Sequence, residues 1–236
     1  MELDEPSPSV KVKASPNITF VFTGQGAQWG GMGKELIEDF PSFDDDIRLM
    51  SRILQNLPNP PFWDLREEIL KDASTSNLSK AEFSQPLCTA IQVALVNLLR
   101  SLNITPAAVV GHSSGEIGAA YSAGAITQEE AILIAYHRGQ ATKASTRKGS
   151  MAAVGMGRTE VSLYLKRGVA IGCENSQSSV TLSGDRKTLE EVLAEIQDDE
   201  PDVFARMLKV EMAYHSRRST SKLLHILDFL TYDQII

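Results

Sequence analysis

The chain has 236 residues, 42% hydrophobic and 22% charged, which suffices for one substantial core and a smaller satellite domain. Its net charge of −7 argues against a nucleic-acid partner, because binding to phosphates needs clustered Lys and Arg side chains. Two cysteines, Cys88 and Cys173, are too few for a disulfide framework or a cysteine-based metal site. No apolar stretch is long enough to cross a membrane, and no secretory signal is recognisable. The sequence therefore predicts a cytoplasmic protein that does not bind a membrane. No metal site is predicted either.

The first half of the chain alternates strands and helices. After a linker over residues 1–17, a buried strand is predicted at 18–22, and it runs directly into the glycine-rich stretch TGQGAQWGGMG. Apolar residues at helical spacing then predict a long core helix that starts just after Pro86. A second buried strand at 106–110 leads into the turn GHSSG and a helix of small residues, and a further helix is expected over residues 128–143.

The second half of the chain has a different order of predicted strands and helices. Strand and helix patterns over residues 149–210 follow the order β-α-β-β-α-β, which is the ferredoxin-like unit. The predicted fold is therefore α/β, with a hydrolase-like large subdomain that contains a parallel sheet and an inserted ferredoxin-like small subdomain. The predicted bounds are 18–148 for the large subdomain and 149–210 for the small one, with a return to the large subdomain over 211–236.

The turn after the second strand carries the strongest chemical signal. Its sequence Gly-His-Ser-Ser-Gly, from Gly111 to Gly115, fits the nucleophile-elbow pattern G-x-S-x-G and assigns the nucleophile to Ser113. The backbone N–H of Ser114, at the start of the next helix, is placed to stabilise an oxyanion. The alternative is a Gly/Ser-rich loop that only turns the chain.

A serine hydroxyl needs a base, and histidine is the usual one. The sequence has four histidines, at positions 112, 137, 215 and 225. His112 is fixed in the elbow beside the serine, and His137 falls on a predicted helix. His215 follows the last strand of the small subdomain, where the chain returns to the large body, and is therefore the best candidate for the base.

Six stretches in order and register carry a resemblance to a known family. Over residues 18–216 the chain resembles the malonyl-CoA:acyl carrier protein acyltransferases, and in detail the acyltransferase domain of a fungal type I polyketide synthase. The family implies the same combination of a hydrolase-like body and a ferredoxin-like insertion. The stretches are FVFTGQGAQWGGMG, SQPLCTAIQVAL, GHSSGEIGAAYSAGAI, YHRGQ, ENSQSSVTLSGD and VEMAYHS.

The resemblance implies a role for individual residues. Ser113 matches the serine that is acylated and His215 the general base, while the N–H of Gln25 would join that of Ser114 in the oxyanion hole. Arg138 matches the arginine that binds the malonyl carboxylate, a task that suits the two parallel N–H donors of a guanidinium. Three further positions match the family's substrate pocket: Gln85, His112 and Tyr214.

The same resemblance implies substrates and partners. Malonyl-CoA or a related acyl-CoA would be the donor, and the acceptor would be the phosphopantetheine thiol of an acyl carrier protein, with other polyketide synthase domains as possible neighbours. No cofactor bound by the chain itself is expected.

The end of the chain departs from the family pattern. After Ser216 no further motif is recognised, and the family comparison leads us to expect a chain truncated at its C-terminus. A non-catalytic fragment is therefore an alternative to an active acyltransferase. A serine esterase is a third possibility, although an esterase has no reason to bind a carboxylate through Arg138.

Overall fold

A computed structural model describes residues 17–24, 26–144, 149–208 and 213. The chain divides into two compact units, over residues 1–139 and 140–236. The helix over Gln128–Lys143 contains the division between them. In the part of the chain that is described, no helix is long and apolar enough to cross a membrane.

The sheet of the first unit consists of two parallel strands, β1 (Thr19–Phe22) and β2 (Ala108–Gly111). Phe22 pairs with Gly111, so both strands end at the same edge. This edge leads into the glycine-rich stretch on one strand and into the GHSSG turn on the other. The carboxyl ends of parallel strands are where α/β proteins place their sites.

In the described residues up to 144, six helices accompany this sheet. They are α1 (Lys34–Asp39), α2 (Pro41–Gln55), α3 (Leu65–Ile69), α4 (Ala81–Ser101), α5 (Gly115–Ser122) and α6 (Gln128–Lys143). Apolar side chains of α2, α3, α4 and α6 form one buried core, to which α2 contributes a continuous stripe at helical spacing. The fully buried members of this stripe are Phe43, Ile47, Met50 and Leu54.

The predicted start of the long core helix is wrong. Helix α4 begins at Ala81, five residues before Pro86, which lies inside it. A proline in this position removes only one intrahelical bond, from its own nitrogen to the carbonyl of Glu82. The first turn is still closed, because the N–H groups of Phe83 and Ser84 both donate to the carbonyl of Lys80, at 3.0 and 2.9 Å.

The second unit contains an antiparallel sheet with one long helix packed on it. Strands β3 (Ser150–Val154), β4 (Val169–Ser176), β5 (Ser179–Gly184) and β6 (Ala205–Met207) lie in the order β4-β5-β3-β6. The connections are α7 (Arg158–Val161), continued by one 3₁₀ turn, and α8 (Arg186–Asp199). This order of antiparallel neighbours is that of the ferredoxin-like unit, and the α/β class is as predicted.

Candidate active site

Ser113 lies at a sharp turn between β2 and α5. Its backbone adopts φ = 52°, in the left-handed region that side-chain-bearing residues rarely occupy. The turn is closed by two backbone hydrogen bonds, from Gly115 N–H to His112 O at 2.9 Å and from Glu116 N–H to Ser113 O at 3.2 Å. A strained serine between a parallel strand and a helix is the geometry of a nucleophile elbow.

Glycines make this turn possible because the backbones approach too closely for a side chain. A Cβ on Gly115 would lie 2.2 Å from the carbonyl oxygen of Phe22, and one on Gly111 would lie 2.5 Å from the Cα of Glu116. The start of α5 is thus packed directly against the end of β1. These contacts fix the backbone on both sides of Ser113.

The Ser114 amide is available at the start of α5. The three amides that follow it, those of Gly115, Glu116 and Ile117, each donate to a carbonyl within the turn. No acceptor for the Ser114 N–H is found among the described residues. An N–H at a helix start, next to the strained serine, is suited to bind an oxyanion.

The glycine-rich stretch lies against the same turn. A Cβ on Gly24 would lie 2.7 Å from the carbonyl oxygen of His112 and 3.2 Å from the Cβ of Ser113. Its backbone is therefore in contact with the elbow. The next residue in sequence, Gln25, lies outside the described residues, so its predicted place in the oxyanion hole stays a prediction.

Helix α6 brings Arg138 to Ser113. The helix starts with a capping box, in which the Thr127 hydroxyl accepts from the N–H of Glu130 at 3.2 Å while the Glu130 carboxylate accepts from the N–H of Thr127 at 2.6 Å. At the other end, Nη2 of Arg138 donates to Oγ of Ser113 at 3.5 Å. A guanidinium half-buried beside the hydroxyl is well placed for an acyl group that carries a negative charge.

Gln85 is buried on α4, and its carboxamide oxygen has no hydrogen-bond partner in the described part of the chain. It lies one turn after Ala81, whose carbonyl oxygen is 2.9 Å from where a Cβ of Gly139 would be. Helix α4 thus places Gln85 near the end of α6 that carries Arg138. A buried acceptor of this kind is costly unless another group donates to it.

Of the remaining predicted site residues, Tyr214 and His215, like Gln25, lie outside the described residues. The predicted base and one pocket position therefore stay predictions. His112 is exposed in the elbow, beside Ser113.

Neither cysteine competes with Ser113 as a nucleophile. Burial raises the pKa of the Cys88 thiol to about 11 and also raises the pKa of Cys173. Both side chains are consequently protonated at neutral pH, and a protonated thiol is a poor nucleophile. In the described part of the chain, no three His, Cys, Asp or Glu side chains cluster as a metal site would require.

The comparisons with known proteins agree with this geometry. The family model described as the acyl transferase domain matches residues 19–227. The chain belongs to the acyl transferase domain family. The recognised motifs end at Ser216, but the match extends 11 residues further, to residue 227. The predicted end of the resemblance is therefore wrong. The added stretch contains leucines at helical spacing, Leu223, Leu224 and Leu227.

Fungal polyketide synthases are among the most similar relatives of this acyl transferase domain. The highly reducing polyketide synthase gloL of Glarea lozoyensis is 63% identical over 210 residues, which are 89% of this chain and 8% of that protein. The squalestatin hexaketide synthase of a Phoma species is 49% identical over 213 residues, again 89% of this chain and 8% of that protein. The chain thus spans less than a tenth of the curated relatives that it matches.

Solved structures of acyltransferases share the fold. The acyltransferase domain from the second module of the salinomycin polyketide synthase is 32% identical, with a TM-score of 0.79 over 90% of this chain and 49% of that one. The malonyl-CoA:ACP transacylase of Synechocystis is 28% identical, with a TM-score of 0.77 over 92% of this chain and 70% of that one.

Sequence reasoning did not identify the side chains that hold the glycine-rich stretch in place, Gln28 and Gln92. Nε2 of Gln92, on α4, donates to the carbonyl of Thr23 at 2.9 Å. The side chain of Gln28 bonds both to Gly26 and to Leu78. Gln28 is the second glutamine of the motif GQGAQ and could have been singled out for that reason. The sequence does not show that its side chain contacts Leu78, 50 positions away.

Proposed function

We propose that the chain transfers a malonyl group from coenzyme A to the phosphopantetheine thiol of an acyl carrier protein, within a fungal polyketide synthase. The observation that carries this proposal is the pair formed by Ser113 and Arg138, with Nη2 and Oγ 3.5 Å apart. A serine at a strained elbow supplies a nucleophile for acyl transfer. A guanidinium beside it favours the binding of an acyl group with a free carboxylate.

The first half-reaction forms an ester on Ser113. The hydroxyl oxygen attacks the thioester carbonyl carbon while its proton passes to His215, the base that the family resemblance implies. The negative charge on the carbonyl oxygen is stabilised by the N–H of Ser114 and that of Gln25. The carbon–sulfur bond then breaks, and the proton returns from His215 to the departing thiolate of coenzyme A.

The second half-reaction reverses these steps with a different thiol. The phosphopantetheine thiol loses its proton to His215, its sulfur attacks the ester carbonyl, and the bond from carbon to Oγ of Ser113 breaks. The proton returns to Oγ, which regenerates the free serine. Two half-reactions that share one acyl-serine predict ping-pong kinetics.

Arg138 supports a choice of malonyl over neutral acyl groups. A malonyl group attached to Oγ carries its free carboxylate only a few bonds from that oxygen, within reach of the guanidinium. Two parallel N–H donors replace the hydrogen bonds to water that the carboxylate loses on entering the pocket. A neutral acyl chain has no charge to compensate in this way. The positive charge is thus useful to a transferase that selects malonyl groups and useless to a general esterase.

A transfer assay distinguishes this function from its alternatives. The chain is incubated with malonyl-CoA and pantetheine, and the formation of malonyl-pantetheine is followed beside the hydrolysis of a neutral p-nitrophenyl ester. Formation of malonyl-pantetheine that Ser113→Ala abolishes supports the proposal. Hydrolysis of the neutral ester in preference to malonyl transfer indicates a serine esterase, and a folded chain with neither activity indicates a non-catalytic fragment.

A further inference from the structure

We propose that Gln92 is a positioning residue for this acyl transfer: its side chain holds the end of β1 against helix α5 and so keeps Ser113 in its strained conformation. The inference rests on the proposed function. Gln92 lies on α4 and acts through the backbone of Thr23 and Gly24, the two residues that follow β1.

The carboxamide of Gln92 lies between the end of β1 and helix α5. Its Nε2 donates to the carbonyl of Thr23 at 2.9 Å. Its Oε1 lies beside Gly118 of α5, so close that a Cβ on this glycine would be only 2.7 Å away. Glycine at position 118 therefore leaves the space that the carboxamide occupies. One side chain of α4 thus contacts both elements that meet at the elbow.

The Thr23 carbonyl lies at the base of the elbow. A Cβ on Gly115, the first residue of α5, would be 2.7 Å from this carbonyl oxygen. The next residue, Gly24, packs on the other side of the turn, where its own Cβ would be 2.7 Å from the carbonyl oxygen of His112 and 3.2 Å from the Cβ of Ser113. The segment that Gln92 holds is therefore packed against the turn both before and after the serine.

The conformation of Ser113 depends on such restraints. A residue with a side chain stays at φ = 52° only where its surroundings leave it no better conformation. Without the donor from Gln92, the Thr23 carbonyl can turn towards water, and the segment after β1 packs less firmly on the turn. Oγ of Ser113 is then less often in the position beside Arg138 from which it attacks the thioester.

The test compares two variants of Gln92 with a matched control. Gln92→Met has a similar length and no N–H donor, while Gln92→Glu keeps the shape of the side chain but has no donor as a carboxylate. The control is Gln55→Met. Gln55 also lies on a helix and donates from Nε2 to a backbone carbonyl, that of Trp63 at 2.8 Å, but its bond joins α2 to the segment before α3.

The first readout is the rate of Ser113 acylation in a single turnover, followed by intact mass at increasing concentrations of malonyl-CoA. We expect both Gln92 variants to lower the rate at saturation about 10-fold to 100-fold, with the half-saturating concentration changed less than about twofold, because the orientation of the nucleophile is lost. Acetyl-CoA should show the same fold-loss, since the partner of the malonyl carboxylate is unchanged. Gln55→Met should keep the wild-type rate with both substrates.

The second readout does not depend on activity. Amide hydrogen exchange over residues 112–117, which contain the two hydrogen bonds that close the turn, should become several-fold faster in the Gln92 variants and stay unchanged in Gln55→Met. Urea unfolding shows whether each variant is folded, and either folded Gln92 variant suffices for the comparison.

Three results would overturn the role of Gln92. They are a wild-type acylation rate in a folded Gln92 variant, unchanged exchange over residues 112–117, and loss of the whole fold in both variants. A loss confined to malonyl-CoA would overturn it as well, because it would place the effect on the carboxylate and not on the serine. A folded wild-type chain that forms no acyl adduct would instead contradict the proposed function.

Discussion

At the scale of single residues, the candidate site depends on a strained serine and a charge beside it. Holding Ser113 in the left-handed region costs on the order of 1–3 kcal/mol, which close packing of the glycines around it must offset. Arg138 contributes a guanidinium that donates to the serine hydroxyl. These two residues lead to the prediction that substrate choice, and not only rate, depends on Arg138.

Arg138→Ala is expected to lower kcat/KM for malonyl-CoA about 100-fold and to leave acetyl-CoA nearly unaffected, because only the malonyl group loses a charge-assisted pair. Arg138→Lys should recover part of the loss, since an ammonium lacks the planar fork. The measurement is the acylation rate of Ser113 with each acyl-CoA. Arg100→Ala is the matched control, because Arg100 donates to the carbonyl of Ser122, which lies at the opposite end of α5 from Ser113. An equal loss with both acyl groups would show that Arg138 does not select malonyl.

At the scale of elements, sequence periodicity predicted the strands and most helices because each shows its own apolar pattern. Helix α6 matches its predicted bounds, and both strands of the parallel sheet were expected within two residues of where they lie. The start of α4 was wrong because the rule that proline begins a helix took no account of the tertiary contacts that stabilise residues 81–85.

The candidate site was only partly predictable for a related reason. Ser113 and Ser114 follow from one short pattern, and the family resemblance gave Arg138. The bridge from Gln28 to Leu78 joins residues 50 positions apart. Neither spacing nor periodicity carries information on such a contact, which depends on how two loops pack.

The capping box of α6 has a measurable effect on stability. Thr127→Ala removes the side-chain cap at the start of the helix that carries Arg138, and we expect the free energy of unfolding to fall by about 1 kcal/mol. Urea denaturation measures this change. Thr75→Ala is the control, because Thr75 donates to a nearby carbonyl without capping a long helix, and its effect should stay within about 0.5 kcal/mol. Equal losses in the two variants would contradict a special role for the cap.

At the scale of the whole molecule, stability depends on buried charge as well as on apolar packing. Burial raises the pKa of Glu68, but hydrogen bonds from Lys71 and Asn77 outweigh it and hold that pKa below its ordinary value of about 4.5. A carboxylate with a lowered folded-state pKa stabilises the fold above its unfolded-state pKa, and this contribution is lost as the pH falls through the folded-state value.

Glu68→Gln should therefore destabilise the chain clearly at pH 7, and the difference from the wild type should shrink as the pH falls below about 4.5. Urea unfolding at a series of pH values tests this. Glu67→Gln is the control, since Glu67 lies next to Glu68 on the same helix but is exposed. A difference that stays constant with pH would mean that the Glu68 charge does not contribute.

The chain as a whole is proposed to form an acyl ester on one serine, and intact mass after incubation with malonyl-CoA tests this most directly. Because burial raises the pKa of both thiols, an adduct is not expected on Cys88 or Cys173. We predict a gain of one malonyl group in the wild type and none in Ser113→Ala. A folded wild-type chain without an adduct, or an adduct that persists in Ser113→Ala, would contradict the account.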